Sequence, residues 1–256
     1  MKQYKGYFID LDGTMYRGTE KIEAASDFVK TLKDKGIPLL FLTNNSSRTQ
    51  EQVARKLNSM DIPAIPDEIF TTSMATASYI KQEKENALVY AIGEEGLFDA
   101  LEKADLTLSM EDCDYVVMGV DREITYEKLA TACLNVRSGA SFISTNGDVA
   151  IPTERGLLPG NGSLTSVVTV STGIQPLVVG KPEAIIMDQA LEKIGLSASE
   201  TVMVGDNYHT DILAGMNAGL DTLMVFTGIT TAEELQQYEI KPTFQIHSLE
   251  EWIPMI

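Results

Sequence analysis

Carboxylates, an ammonium and hydroxyls follow apolar runs at four places in this chain, and the first is Asp10-Leu11-Asp12-Gly13-Thr14 after Tyr7-Phe8-Ile9. In a strand, alternate side chains share a face, so Asp10 and Asp12 are expected to leave the sheet on one side while Gly13 lets the chain turn away. Two like charges roughly 6 Å apart repel by about 3 kcal/mol at an effective dielectric of about 20, so a cation or a proton is expected between them. A capped turn, in which Asp12 satisfies backbone donors, is the competing reading of that fragment alone. The other three clusters are Thr43-Asn44, Lys181, and Asp206 with Asp211 behind it. Asp10, Asp12 and Asp206 supply hard oxygen ligands suited to Mg²⁺, and Thr43, Asn44 and Lys181 supply donors for phosphate oxygens. Each residue also has a plainer reading. Ser46 or Ser47 would cap a helix, Lys181 would be a solvated lysine ahead of Pro182 at a first helical position, and Asp211 would be an acid in a helix's first turn.

These residues can meet only if the chain between them alternates strands and helices. Ile22, Ala25, Phe28, Val29 and Leu32 fall at helical spacing before Gly36, and Ile37–Leu42 reads as a buried strand, so the chain opens with a βαβ unit. A helix through Val53, Leu57 and Met60, a short strand at Ile69-Phe70 and a helix to about Glu83 follow. The charged run 81–86 is a candidate boundary, after which the alternation starts afresh and runs to a loop expected over 145–162 and a helix over 163–172. From Leu177 to Lys181 the first style resumes, with the strand Thr201–Asp206 and a helix over about 210–218. Such alternation calls for a mostly parallel sheet between helical layers, and the carboxyl ends of its strands form the ligand crevice. The expected fold is therefore α/β: a doubly wound, mostly parallel Rossmann-like core built from residues 1–83 and 179–256, with an inserted α/β cap over 84–178.

At 256 residues and 44% hydrophobic content the chain can bury a substantial core. Its net charge of -17 argues against nucleic acid and anionic membrane as partners, and any phosphate site must rest on local donors or a metal. Cys113 and Cys133 lack metal-ligand spacing and read as reduced structural thiols. No apolar run reaches the length of a membrane span, and a cytoplasmic location is expected.

Taken together, Asp10-Leu11-Asp12-Gly13-Thr14, Thr43-Asn44-Asn45-Ser46, Gly180-Lys181-Pro182 and Gly205-Asp206 with Thr210-Asp211 resemble, in order, the four motifs of the haloacid dehalogenase superfamily of phosphohydrolases. The position of the expected cap is similar to that of the NagD/4-nitrophenylphosphatase branch. The resemblance implies that Asp10 is the nucleophile, forming an aspartyl-phosphate, and that Asp12 is the general acid and base. It implies Mg²⁺ held by Asp10, the Asp12 backbone carbonyl and Asp206, with Asp211 anchoring behind them. It implies phosphoryl binding by Thr43 and Asn44, and charge neutralisation by Lys181. The loop 144–153 resembles one that contacts the leaving group, which makes Asn146 and Asp148 candidate substrate residues. His209 lies inside the fourth motif, but its chemistry is already assigned to carboxylates.

The expected activity is Mg²⁺-dependent hydrolysis of small phosphate monoesters, such as sugar or acid-sugar phosphates, and of 4-nitrophenyl phosphate in vitro. A phosphotransferase or sugar phosphomutase of the same superfamily would pass the phosphoryl group to a sugar hydroxyl instead. A non-catalytic phosphoacceptor switch is the alternative from another class. A small phosphorylated metabolite is the expected partner, and a homodimer the default assembly.

Overall fold

The computed structural model describes residues 2–153 and 155–256, and the chain divides into two compact units. One comprises residues up to 43, 50–70 and 181–256, and the other residues 44–49 and 71–180. The helix Thr72–Glu83, counted with the core on sequence, thus falls in the second unit, as does the segment 44–49.

The first unit is built on a six-stranded sheet in the order Phe244–Ile246, Asp221–Val225, Thr201–Gly205, Gly6–Ile9, Leu39–Thr43, Ile69–Thr71. Gly6–Ile9 runs parallel to both neighbours, with Phe8 level with Met203 on one side and Leu40 on the other. Every residue of Gly6–Ile9, Leu39–Thr43 and Thr201–Gly205 is buried, which explains their unbroken apolar character: a parallel strand covered on both faces has no polar side. One covering helix, Ala25–Asp34, buries Phe28, Val29 and Leu32, and Phe28 meets Tyr7 edge-on at 5.9 Å. From Gly6–Ile9 the chain builds outward to one side through Leu39–Thr43 and later to the other through Thr201–Gly205. The order therefore reverses at the centre of the sheet, where open α/β folds form their crevice.

The second unit repeats the plan with five parallel strands in the order Leu177–Val178, Ser141–Ser144, Tyr115–Met118, Leu88–Ile92, Thr107–Leu108. The helices Tyr126–Arg137 and Asn161–Thr172 close one hydrophobic cluster around Val116, Phe142, Val136 and Val168. Three sequence expectations change here. The loop expected over 145–162 contains an antiparallel hairpin, Ala150–Thr153 paired with Gly156–Pro159, whose Pro152 and exposed Leu157 hide the usual alternation. The helix expected from 163 begins at Asn161. Residues 179–180, counted with the core on sequence, belong to the second unit, where Leu177–Val178 pairs with Ile143–Ser144 and completes the sheet. Among the described residues, no helix is long and apolar enough to cross a membrane.

Candidate active site

Asp10 follows the last residue of Gly6–Ile9, Asp206 follows the last residue of Thr201–Gly205, and both arrive at the central crevice of the first unit because those two strands are adjacent and parallel. Asp211 joins them from a π-helical turn over Tyr208–Ile212, where it is locked reciprocally: its Oδ2 accepts the Asn207 N–H at 3.0 Å and its own N–H donates to the Asn207 carbonyl at 2.9 Å. One carboxylate oxygen from each of Asp10, Asp206 and Asp211 lies within 4.8 Å of the other two, and all three residues are buried. Lys181 is 2% exposed and places its Nζ against them, 2.5 Å from Asp10 Oδ1 and 2.7 Å from Asp211 Oδ1, with a third bond to the Leu42 carbonyl at 3.2 Å.

The backbone around these groups is shaped by what they occupy. Gly13 adopts φ +91, and a Cβ there would lie 2.3 Å from Asp206 Oδ2. A Cβ on Gly205 would lie 2.3 Å from the Cβ of Asp211. Asp206 is held by Thr14 Oγ1 on one oxygen (3.2 Å) and the Ile229 N–H on the other (2.7 Å).

The electrostatics follow from three buried carboxylates facing one ammonium. Burial and then the Asp211 charge push Asp10 well above the usual carboxylate range, with Lys181 opposing them and Asp206 adding to the rise. Burial and Asp211 push Asp206 up to about 7, against the Ile229 N–H, Lys181 and the Thr14 hydroxyl. Burial works against the Lys181 ammonium, but the charges and hydrogen bonds of Asp10 and Asp211 outweigh it and raise its pKa. With all four groups ionised the cluster carries two uncompensated negative charges, and unpaired buried charge costs several kcal/mol. Hard oxygen donors at this spacing fit one divalent cation, which would remove that cost.

Asp12 lies apart. The strand stops at Ile9, so the alternation expected to send Asp10 and Asp12 to the same side does not reach residue 12, and the Asp12 carboxylate is not among the three whose oxygens lie within 4.8 Å of one another. Asp12 is exposed and forms a lone bridge with Tyr16 at the base of the small hairpin Tyr16–Arg17 and Glu20–Lys21. Crowding by neighbouring atoms still raises its pKa, opposed by the Lys56 charge and the Gly18 N–H. Lys56 Nζ sits 3.6 Å above the Tyr16 ring. Sequence reasoning singled out neither Lys56 nor the hairpin, although Gly18-Thr19 is a turn signal that could have revealed the latter.

Thr43 ends Leu39–Thr43 and is buried in the first unit. Lys181 does not stand at a helix start, because the helix after Pro182 begins at Ala184. Asn44, Asn146 and Asp148 are bonded to one another in the second unit: Asn44 Nδ2 donates to both Asp148 oxygens, and Asn146 Nδ2 donates to the Asn44 carbonyl at 2.8 Å. The His209 Nε2 pairs with the Tyr238 hydroxyl at 2.8 Å.

Known proteins carry the same plan. A haloacid dehalogenase-like hydrolase family matches residues 7–107, and a second family of HAD-like hydrolases matches residues 178–252. The 5'-nucleotidase YutF of Bacillus subtilis is 65% identical over 256 residues, with both chains covered completely. An acid sugar phosphatase of Staphylococcus aureus is 55% identical over 99% of this chain and 98% of its own. The solved structure of NagD from E. coli K-12 superposes with a TM-score of 0.92 at 32% identity, covering 98% of each chain. By these matches the chain belongs to the haloacid dehalogenase-like hydrolases, in their NagD-like branch, and is a phosphoric monoester hydrolase.

Proposed function

We propose that the chain hydrolyses small phosphate monoesters in a Mg²⁺-dependent reaction through a phosphorylated Asp10. The observation that carries this reading is the Lys181 ammonium bonded to Asp10 Oδ1 and Asp211 Oδ1 in a buried cluster. It orients the Asp10 oxygen and opposes the rise in its pKa that burial and the Asp211 charge impose. The Asp10 oxygen attacks phosphorus, and the bond from phosphorus to the leaving oxygen breaks as Asp12 gives that oxygen a proton. Water then attacks the aspartyl-phosphate while Asp12 takes the water's proton, which releases phosphate and restores both carboxyl groups. The exposure of Asp12 suits a group that must exchange protons with an alcohol and with water in turn.

Asp10, Asp206 and the Asp12 backbone carbonyl would hold Mg²⁺, with Asp211 behind them, and the ion when bound supplies charge stabilisation to the phosphoryl oxygens. Thr43, and Asn44 next to it in sequence, would bind those oxygens, with Lys181 offsetting their charge. The relatives are named as a 5'-nucleotidase and an acid sugar phosphatase, so nucleoside monophosphates and acid-sugar phosphates are the first substrates to compare. Sugar and acid-sugar phosphates are the class favoured here, with 4-nitrophenyl phosphate as the assay substrate. The two free thiols support a reducing, cytoplasmic setting.

Asp10→Asn is expected to lower kcat for 4-nitrophenyl phosphate by at least about 10³-fold, the scale on which removed nucleophiles are felt. It should not lower Tm, because one of three crowded negative charges has gone. Turnover within a few-fold of the parent protein would refute the mechanism. Free phosphate rising in step with substrate loss would separate hydrolysis from transfer to a sugar.

A further inference from the structure

We propose that Asp148 and Asn146 are positioning residues that hold Asn44 in the orientation with which it meets the phosphoryl group. This rests on the phosphoryl-binding role proposed for Asn44. The Asn44 Nδ2 lies 3.2 and 3.3 Å from the two Asp148 carboxylate oxygens. An ionised carboxylate accepts and does not donate, so the Asn44 amide has one acceptable orientation: nitrogen toward Asp148, oxygen toward Gly180. A Cβ on Gly180 would lie 2.7 Å from that oxygen, so the glycine leaves the amide its room. The Asn44 backbone is fixed as well, since its carbonyl accepts from Asn146 Nδ2 at 2.8 Å and from Thr72 Oγ1 at 3.0 Å.

The loop behind Asn44 is itself braced. Asn146 is buried, and its Oδ1 accepts the Asp148 N–H at 3.1 Å. Its carbonyl accepts from Ser144 Oγ at 2.8 Å and from Asn161 Nδ2 at 3.0 Å. The Gly162 N–H donates to the Asp148 carbonyl at 2.9 Å, and a Cβ at Gly162 would lie 2.4 Å from the Gly147 carbonyl oxygen. A loop held from both sides in this way suits the setting of a neighbour's geometry. A residue whose task is to recognise varied leaving groups would gain nothing from spending its carboxylate on Asn44.

The test is a double-mutant cycle with Asn44→Ala and Asp148→Ala, alone and together. It is read as kcat/KM for 4-nitrophenyl phosphate, a sugar phosphate and a nucleoside monophosphate, and as the inhibition constant of inorganic phosphate. Asp148→Ala should lower kcat/KM by about 10- to 100-fold, the range expected when a binding group is misplaced by about 1 Å. The loss should be the same for all three leaving groups and should be mirrored in weaker phosphate inhibition. The double variant should lose no more than Asn44→Ala alone. Asp148→Asn, which keeps an oxygen able to accept from Asn44, should recover most of the loss and guards against a merely misfolded alanine variant. Losses that multiply in the double variant, or that change the order of preference among leaving groups, would overturn the inference. If Asn44→Ala itself leaves catalysis and phosphate inhibition at parent values, the phosphoryl role of Asn44 is what fails, and the inference falls with it.

Discussion

The two units have the same parallel α/β plan, each with a sheet whose order reverses near its middle, yet among the described residues only the first brings three carboxylates within reach of one another at that point. In the first unit the strands on either side of the reversal end in Asp10 and Asp206, and glycines 13 and 205 leave room for carboxylates. In the second, the corresponding strands Leu88–Ile92 and Tyr115–Met118 run into Gly93 and Gly119, and the chain's own segment 46–48 fills the space. There the Val120 N–H donates to Ser46 Oγ at 3.2 Å, and the Gly96 N–H to the Ser47 carbonyl at 3.0 Å. The charges that follow these glycines are paired with neighbours in the same unit, Glu94 with Arg122 and Asp121 with Lys128, each at 2.7 Å. The contrast teaches that the fold supplies a crevice, while the residue types at the strand ends decide whether it does chemistry.

The sharpest way to break that comparison is Lys181→Met. Removing one partner of a buried charge pair costs about 3–5 kcal/mol, because Asp10 and Asp211 then face each other without their cation. Thermal unfolding in the presence of a chelator should show this loss, and activity should fall with it. A variant as stable as the parent protein would mean that the carboxylates were already protonated and that the pairing is incidental.

Most of the first unit was legible because a buried parallel strand leaves a plain trace: an unbroken apolar run ending in polar residues, as in Leu39–Thr43 and Thr201–Gly205. The placement of Asp10, Thr43 and Asp206 at strand ends was legible for the same reason. Other features depend on contacts far apart in sequence. That the helix Thr72–Glu83 groups with the second unit follows from its packing on Glu95–Lys103, which no local pattern records. The Ala150–Thr153 hairpin was hidden by its own composition, and Asp211 has two partners, Lys181 and the Asn207 N–H, that only the π-helical turn brings within reach. Lys56 looks like any basic residue near a helix end until Tyr16 folds beneath it.

A milder test of the same contrast is removal of the metal across a pH range. Asp206 in the folded chain titrates at about 7, above its ordinary 3.8. A carboxyl raised on folding binds its proton more tightly in the folded state. The stability this contributes is full below about pH 4 and is lost as pH rises through about 7. In a chelating buffer the fold should therefore weaken between about pH 5 and about pH 8, by on the order of 2 kcal/mol from this site. Added Mg²⁺ should restore more stability at the upper end of that range than at the lower, because the cation competes with the proton for the same oxygens. A Mg²⁺ shift in Tm that is independent of pH would point to binding elsewhere.

The smallest effect belongs to the filled crevice. Gly96 lies in the first turn of Glu95–Lys103, where alanine would ordinarily gain up to about 1 kcal/mol in helix propensity. A Cβ there would stand 2.4–2.6 Å from the Arg48 backbone O, C and N. Backbone cannot swing aside as a side-chain tip can, so the cost of overpacking, about 1–3 kcal/mol, should exceed the propensity gain. Gly96→Ala is therefore expected to lose about 1–2 kcal/mol, or a few degrees in Tm for a chain of this size. Its kcat on 4-nitrophenyl phosphate should stay close to the parent's, because Asp10, Asp206 and Asp211 are positioned by the strands and turn of the first unit. An unchanged Tm would show that segment 46–48 fills the crevice only loosely, and a collapse of kcat comparable to that of Lys181→Met would show that the second crevice takes part in the chemistry after all.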